Sequence, residues 1–534
     1  MRKQFLCLLA MLLFVFSTPL YASQVAEEIM SLPVENAEES DPHTGNILLQ
    51  AWQINRAAKI VDKILQTGDT SEEAQFFLGN YFFHTGDYTR ALEHLNGAGD
   101  YRPKGVLNYQ PYLEAAYNNT KDMVSKKSEH FEVKYQDDKE SIIADAVLDT
   151  MERTYLAIGN ELGLQPVDRI VVEIYPKLEM LAAATGLTLK ELKTSGTIAI
   201  CKFNRIMISS PRVSPYGYTW RDTLCHEYIH LIICRISANT VPIWLHEGIA
   251  KSYEERWRSS HSTKMTSTGE SLLSRALRED KLITIKEMHP SMALLPSQEH
   301  AALAYTEVLT MVEWLNQRRG SQKLQRLLRT IPKVGGDLDK AFKQVYSFDT
   351  VQFQELWESS MKNRRLREYP NAFDDYSILF DTRKQEDTES AIEKLEEKKG
   401  KKYMTLGKLL KDRNHPKAAS MEFEKAQQSL GKENVQLQNF IAQTFLELEK
   451  YEKAARALEP LIRFSPNWMP TRVRLAEAYL GLGVWEVAVE HLVYAFGINP
   501  FNPQIHKMLK IAYERLNKQD MAKLAEANFK LLVN

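Results

Sequence analysis

A period of thirty-four residues in the C-terminal part of this 534-residue chain restricts its fold more than any other feature. Small residues, aromatics, a leucine and a proline recur at this interval: Ala442, Phe445, Ala454, Leu458 and Pro466 are followed by Ala476, Tyr479, Ala488, Leu492 and Pro500. Tyr513 and Ala522 continue the step once more. A unit of this length buries its apolar face only against a neighbouring unit, so the period predicts stacked pairs of helices.

These units resemble the tetratricopeptide repeat (TPR), in which small residues let two antiparallel helices approach and a proline ends the second helix. An upstream copy is shifted by one residue and contains Gly407, Leu410, Ala419 and Phe423. The resemblance implies four repeats over residues 400–534. Stacked helical pairs form a concave surface suited to extended segments, so a protein partner or a polypeptide substrate is expected on the repeats.

The same spacing occurs once near the N-terminus, within residues 71–103. The matching positions are Gly79, Phe82, Gly86, Ala91, Leu95 and Pro103. Helical stretches at 51–65 and 111–118 are expected to stack on either side of this unit. We therefore predict an N-terminal helical, TPR-like region at residues 45–124, and the alternative is a plain helical hairpin that covers the following domain.

The periodicity changes between the two helical regions. Residues 130–135 alternate with period two, residues 170–175 are apolar and β-branched, and residues 197–209 hold two short apolar runs. An amphipathic helix is expected at 142–162, and helices again after Thr219. The predicted fold class is α+β: a small sheet plus helices at 128–362, between two all-α arrays. The charged residues 366–399 are interpreted as a linker or a solvated helix.

The length and the net charge of the chain limit the number of domains and the class of partner to be expected. A chain of 534 residues is too long for one hydrophobic core, so at least two domains are expected. The 68 basic and 69 acidic residues leave a formal charge of -1. No summed field would draw such a chain to nucleic acid or to an anionic membrane, and we predict no nucleic-acid partner.

The first residues are typical of an export signal. Arg2 and Lys3 precede an apolar run from Phe5 to Phe16, and Ala22 ends a small-residue approach to cleavage. Residues 1–22 are thus predicted to be a signal peptide, with an uncleaved anchor as the alternative. No later segment is apolar enough to cross a membrane. The protein is expected in the periplasm or outside the cell, and it could lie at the periphery of the envelope.

Three cysteines follow the predicted signal, Cys201, Cys225 and Cys234. Three are too few for a disulfide framework. Cys225 and Cys234 lie nine residues apart on one predicted helix, about 13 Å along its axis, which is too far for a disulfide. Buried thiols are the favoured interpretation, and the sequence assigns these cysteines no role.

Two histidines in the sequence His226-Glu-Tyr-Ile-His230 indicate a metal site. Thr219-Trp-Arg-Asp222 is a capping-box pattern and predicts that a helix starts there. Residues four apart leave the same helix face, so His226 and His230 can bind one zinc ion. Glu227 lies about 100° around the helix and suits a general base that activates water.

A second motif supplies the third ligand. Pro242 is expected at the first position of another helix, which contains His246 and Glu247. The two side chains leave that helix about 100° apart, so only one of them can point at the metal. On geometry alone both remain candidates.

His226-Glu-Tyr-Ile-His230 followed by Pro242-Ile-Trp-Leu-His-Glu-Gly-Ile-Ala250 resembles the gluzincin zinc peptidases of the peptidase MA type. The resemblance covers about residues 128–362 and implies that Glu247 completes the ligand set. It also implies that Tyr305, on a helix after the site, could donate to the developing oxyanion. The alternative is a packed aromatic residue whose hydroxyl bonds to any available partner. Lys251 departs from the family, which has a carboxylate partner for a ligand at that position. Glu254, seven residues after Glu247, is the candidate to accept a proton from a ligand histidine instead.

The predicted function is therefore peptide-bond hydrolysis with one Zn²⁺ ion. Two imidazoles and one carboxylate leave a fourth zinc position open, where the pKa of water falls toward ~7 and Glu227 can accept its proton. The alternative is a catalytically quiet TPR scaffold in an envelope protein assembly. The sequence does not identify the substrate, an endo- or exopeptidase mode, or the oligomeric state.

Overall fold

The computed structural model describes residues 41–261, 263–289, 292, 295–369, 392 and 397–533, and these form two compact units. Unit 1 comprises Met1–Ser210, Asp222–Met265 and Ala276–Arg365, and unit 2 comprises Pro211–Arg221, Thr266–Arg275 and Leu366–Asn534. The predicted signal peptide and most of the predicted linker lie outside the described residues. The segment boundaries predicted from sequence stay a prediction, because the units group residues by contact and not by chain order.

Unit 1 contains a five-stranded sheet in the order β1-β2-β3-β5-β4. The strands are β1 (Val124–Lys127), β2 (Phe131–Tyr135), β3 (Ile170–Tyr175), β4 (Ala199–Lys202) and β5 (Arg205–Ser209). The central pairs β2-β3 and β3-β5 are parallel, and both edge strands are antiparallel to their neighbours. Every residue of β3 and β5 is buried, as expected for parallel strands covered on both faces.

The sequence analysis predicted four of these strands and missed β1. All four residues of β1 are exposed, so the strand carries no alternating apolar signal. It forms by pairing with β2 along a register that joins Val124 to Tyr135. The hairpin between β4 and β5 turns at Phe203 and Asn204, whose φ angles of 53° and 57° are those of a tight two-residue turn.

From residue 41 onward, five helices precede the sheet: α1 (Pro42–Gln50), α2 (Ile54–Thr67), α3 (Glu72–His84), α4 (Tyr88–Gly97) and α5 (Gln110–Thr120). The predicted helical pair corresponds to α3 and α4, and the two stretches predicted on either side correspond to α2 and α5. Helix α1 was not predicted. Aromatic residues of α3 and α4 share one apolar core with Phe203 of the β4-β5 turn. The N-terminal helices therefore pack on the sheet within unit 1.

A buried polar cluster accompanies this packing. Glu173 of β3 accepts hydrogen bonds from the Tyr88 hydroxyl of α4 and, at 2.8 Å, from the Tyr175 hydroxyl. Arg205 Nη1 lies 3.3 Å from Glu173 Oε2, and both side chains are fully buried. The guanidinium also lies 4.5 Å from the centre of the Phe83 ring. Because an unpaired buried charge is costly, the cluster ties α3 and α4 to the sheet in one arrangement.

His84, at the end of α3, should make unit 1 sensitive to acid. Its imidazole is buried among aromatic rings, and neither ring nitrogen has a hydrogen-bond partner among the described residues. Burial, with the nearby Arg205, lowers the pKa of His84 from 6.5 to about 3. Protonation then favours the unfolded state, so stability is complete above pH 6.5 and falls as the pH drops toward 3.

We expect His84→Leu to reduce this loss of folding stability at acidic pH. Linkage gives an upper bound of roughly 2 kcal/mol at pH 5 for the contribution of this group. The measurement is the urea midpoint of each protein at pH 7.5 and pH 5, followed by tryptophan fluorescence. If both proteins lose the same stability between these pH values, His84 is not the acid-sensitive group.

The rest of unit 1 is helical. Helix α6 (Ser141–Leu162) connects β2 to β3, and α7 (Leu178–Thr185) and α8 (Leu189–Ser195) follow β3. After β5 come α9 (Trp220–Ser237, in unit 1 from Asp222 onward) and α10 (Ile243–Tyr253), and later α12 (Gln298–Arg319), α13 (Ser321–Thr330), α14 (Leu338–Tyr346) and α15 (Thr350–Lys362). The α9 start follows Thr219 as predicted. Pro242 is the residue before α10 and not its first residue, a difference of one position that is usual at helix ends.

Unit 2 is a helical array, which confirms the predicted repeats. Its helices are α11 (Ser267–Glu279, in part), α16 (Lys398–Asp412), α17 (Pro416–Leu430), α18 (Val435–Glu447), α19 (Tyr451–Leu458), α20 (Leu461–Phe464), α21 (Met469–Gly481), α22 (Trp485–Phe496), α23 (Pro503–Arg515) and α24 (Gln519–Val533). The small residues of the period are fully buried between paired helices: Ala442, Ala454, Ala476 and Ala488. The fold class is thus α+β with helical arrays on either side of the sheet domain in sequence.

The short segment Pro211–Arg221 also belongs to unit 2. The backbone N–H of Tyr218 donates to the Ile498 carbonyl at 3.0 Å, and Trp220 Nε1 donates to the Phe496 carbonyl at 3.2 Å. Gly217 has a φ of 73° and lies so close to the Ile498 carbonyl that a side chain there would clash. Across the described residues, no helix has the length and apolarity needed to cross a membrane.

Candidate metal centre

Helix α9 carries the first motif and is buried on nearly all sides. Leu224, Cys225 and Ile233 leave the helix on different sides, and all three are fully buried, as in a helix enclosed by a domain core. Near its end, the Arg235 guanidinium binds both Asp168 oxygens at 2.6 and 2.7 Å and also Asn204 of the β4-β5 turn. These charged hydrogen bonds fix the helix against the sheet.

Asp222 holds the other part of α9 in place. Its carboxylate accepts from Trp257 Nε1 at 2.8 Å and from two nitrogens of Arg258 at 2.9 Å. With both parts held, α9 presents its histidines in a fixed position. Such rigid support is what a metal site requires of its scaffold.

Three side chains predicted as ligands meet in unit 1. One possible ligand atom from each of His226, His230 and Glu247 lies within 4.8 Å of the other two. His226 Nε2 is 3.3 Å from Glu247 Oε2, and His230 Nε2 is 3.6 Å from Glu247 Oε1. Both imidazoles therefore direct Nε2 toward the carboxylate of α10, as a common metal ion would require.

The remaining nitrogen of each imidazole has its own partner. His226 Nδ1 lies 3.2 Å from Glu254 Oε2, and Lys251 Nζ is 2.7 Å from the other Glu254 oxygen. His230 Nδ1 lies 2.6 Å from His246 Nδ1. Glu254 therefore lies beside His226, one of the candidate ligands. His246 contacts the back of His230 and does not join the three candidate ligands.

The charges of the site favour a bound cation. Burial would lower the pKa of His226, but hydrogen bonds to Glu247 and Glu254 outweigh it and raise that pKa to about 10. Burial would raise the pKa of Glu247, but His230 and His226 lower it to about 2. The carboxylate is therefore ionised and the site draws positive charge. Two imidazoles and an ionised carboxylate fit a zinc ion with an open position.

Glu227 lies beside the three candidate ligands. It is 7% exposed, and its carboxylate accepts the backbone N–H of Cys201 on edge strand β4. Burial, and repulsion from Glu247, raise the pKa of Glu227 to about 7, while His226 opposes the shift. A carboxylate with a pKa near 7 suits proton transfer at neutral pH.

Sequence comparison finds one family model similar to the region that holds this site. Residues 150–363 match the sequence model of the Peptidase MA superfamily. This matched region includes both motifs, α9 and α10, and the helices to α15. No curated protein matches the chain in sequence.

Solved structures similar to the chain include both repeat proteins and a hydrolase. A crystal structure of MamA is 19% identical, with 29% of this chain and 91% of that chain covered and a TM-score of 0.23. Yeast LTA4 hydrolase is 13% identical, with 77% and 64% covered and a TM-score of 0.32. The APC/C hetero-tetramer Cut9-Hcn1 is 14% identical, with 92% and 81% covered and a TM-score of 0.27.

Helices α10 and α12 pack closely in the matched region. A side chain at Gly248 would lie 2.8 Å from the Val308 carbonyl of α12, so a glycine directly after Glu247 permits the approach. Tyr305 is half-buried on the same α12. Its role as an oxyanion donor stays a prediction.

The three cysteines of the matched region are free thiols. Burial raises the pKa of the Cys225 and Cys234 thiols, which keeps both protonated. Cys225 contacts the Tyr253 carbonyl at 3.5 Å, which agrees with a core position. Cys234 instead lies 3.5 Å from His246 Nε2, a contact that the sequence analysis did not predict.

Proposed function

We propose that the chain is a zinc-dependent peptidase with His226, His230 and Glu247 as ligands and Glu227 as general base. The observation that carries this proposal is the convergence of three ligand atoms within 4.8 Å. Each imidazole reaches that point through Nε2 and uses Nδ1 for another partner, as metal-binding histidines do. The match of residues 150–363 to a peptidase superfamily supports the same reaction class.

The residues have separate tasks in this reaction. Zinc, when bound, would supply a Lewis acid that makes water nucleophilic at neutral pH and polarises the peptide carbonyl. Glu227 takes a proton from the attacking water and passes it to the departing amine. The backbone N–H of Cys201 donates a hydrogen bond to that carboxylate and helps to position it. Glu254 accepts the Nδ1 proton of His226 and fixes that ring, and Tyr305 donates to the carbonyl oxygen as negative charge develops.

The repeats of unit 2 suit the recruitment of a polypeptide substrate or a protein partner. Arrays of paired helices offer an extended concave surface on which a chain segment can lie. We also propose that the protein is exported to the periplasm or the cell exterior, because residues 1–22 have the pattern of a signal peptide. N-terminal sequencing of the protein recovered outside the cytoplasm would locate the cleavage site.

Metal removal tests the proposal. The purified full chain should contain about one zinc ion and cleave an unfolded polypeptide such as casein. Prolonged dialysis against a chelator should abolish cleavage, and one equivalent of zinc should restore it. The readouts are metal content by mass spectrometry and release of soluble peptides. A chain that binds zinc but leaves casein and other unfolded substrates intact would instead favour a repeat scaffold.

A further inference from the structure

His246 is placed where it can control the metal site without binding the metal. It directly precedes Glu247 on α10 and is 1% exposed. Neighbouring residues leave a helix about 100° apart, so its ring cannot share the direction of the Glu247 carboxylate. Its Nδ1 instead lies 2.6 Å from His230 Nδ1, on the side of His230 opposite Nε2.

The short distance between these nitrogens determines the proton positions. Two imidazole nitrogens at 2.6 Å share one proton, because two protons would collide and none would leave two lone pairs opposed. His230 needs a free lone pair on Nε2 to bind a metal, so its proton is on Nδ1. His230 therefore donates to His246 Nδ1, and His246 carries its own proton on Nε2.

The chain of hydrogen bonds continues in the same direction. His246 Nε2 lies 3.5 Å from Cys234 Sγ, so the sulfur accepts a hydrogen bond from this N–H. Cys234 Sγ lies 3.4 Å from Asn239 Oδ1 and donates its thiol hydrogen there. Each residue donates a hydrogen bond to the next one, in the order His230, His246, Cys234 and Asn239. Every donor in this series has an acceptor, which satisfies buried polar groups that would otherwise be costly.

The turn between the two metal-site helices closes this chain. Asn239 has a φ of 60°, and its backbone N–H donates to the Cys234 carbonyl at 3.0 Å. Cys234 is 5% exposed, so little water competes for its contacts. The hydrogen-bonded residues thus lie on α9, on α10 and in the turn that joins them. The same contacts hold the two helices together, and each helix carries a candidate ligand, His230 on α9 and Glu247 on α10.

We propose that His246 is a positioning residue that fixes the ring and tautomer of His230 for metal binding through Nε2, and that Cys234 and Asn239 fix His246 in turn. This inference rests on the proposed metal site and adds a role to a residue outside the ligand set. The two ligand histidines are then supported differently. His226 is held by a carboxylate, and His230 is held by a neutral chain that adds no charge to the site.

Three variants test the role of His246 through metal binding alone. Asn offers an acceptor near the position of His Nδ1, Gln offers one near Nε2, and Leu offers none. We expect His246→Leu and His246→Gln to lower zinc affinity about 10- to 100-fold in chelator competition, and His246→Asn to stay within a few-fold of the unaltered chain. The visible spectrum of the cobalt-substituted protein should change in the same order.

His84→Leu is the matched control, since it removes another buried imidazole from unit 1. It should leave zinc affinity and the cobalt spectrum unchanged. Equal zinc affinity in His246→Asn and His246→Gln would overturn the inference, because a side chain that only fills space has no need of an acceptor at the position of Nδ1. This comparison remains decisive even if His246→Leu fails to fold. Absence of zinc binding by the unaltered chain would instead overturn the proposed function. The two failures are therefore separable.

Discussion

Glu227→Gln should retain zinc and lose casein cleavage by about 10²- to 10⁴-fold, the range expected for removal of a general base. An amide has the size of a carboxylate but does not accept a proton at neutral pH. Glu227 is not one of the three side chains whose ligand atoms converge, so metal content should stay near one equivalent. Cleavage rates and zinc content measured on the same preparations separate these two effects.

The control for this experiment is Glu307→Gln. Glu307 is fully buried on α12, and burial raises its pKa well above the usual value, which favours the neutral carboxyl. One of its oxygens accepts the Ile283 N–H at 3.0 Å, which an amide oxygen can also do. This variant should cleave casein at the normal rate. Equal cleavage by Glu227→Gln and the unaltered chain would exclude Glu227 as the base.

Glu247→Ala should have the largest effect on metal binding. The change removes the only carboxylate among the three candidate ligands and leaves two buried imidazoles facing each other. We expect zinc affinity to fall well beyond the ~10- to 100-fold that is typical when a partner of a ligand is lost. Chelator competition on the full chain gives the affinity, and cleavage should be lost in parallel.

Glu254→Gln is the control for Glu247→Ala, because we expect it to lower zinc affinity much less. An amide at 254 can still accept the Nδ1 proton of His226, but it lacks the charge that pairs with Lys251 at 2.7 Å. Its loss of zinc affinity should therefore be modest. A Glu247→Ala protein with unaltered affinity would mean that another residue completes the ligand set, and His246 would then be the first to test.

The sequence predicted those parts of the site that depend on one helix. His226 and His230 share a face because four residues make about one helical turn, so their pairing needed no tertiary information. The choice between His246 and Glu247 was different. It depends on how α10 is rotated relative to α9, which spacing within either helix does not specify. Resemblance to a family favoured Glu247, and the structure directs its carboxylate at both imidazoles.

Contacts across long sequence separations were not predictable from local patterns. The Arg235 contacts with Asp168 and Asn204 join residues 67 and 31 positions apart. Strand β1 gave no signal because its residues are exposed and it exists only through its pairing with β2. The contact of His246 with His230 follows a left-handed turn at Ala238 and Asn239. Asparagine adopts such angles more readily than most residues, but this preference does not specify where the next helix is placed. Hydrophobic periodicity indicates which residues of one helix or strand are buried. The features above are contacts between different helices, strands and turns, so periodicity does not predict them.

The assignment of Pro211–Arg221 to unit 2 has a consequence for how such a protein could have been assembled. Tyr218 and Trp220 bond to carbonyls at 496–498, although they directly precede the residues of the first metal motif. Tyr218 and Trp220 keep these bonds only if the acceptor carbonyls at 496 and 498 belong to an array of the same geometry, so the repeats could not be exchanged independently of this segment. Exchange of this array for one from another protein would leave Trp220 without its acceptor.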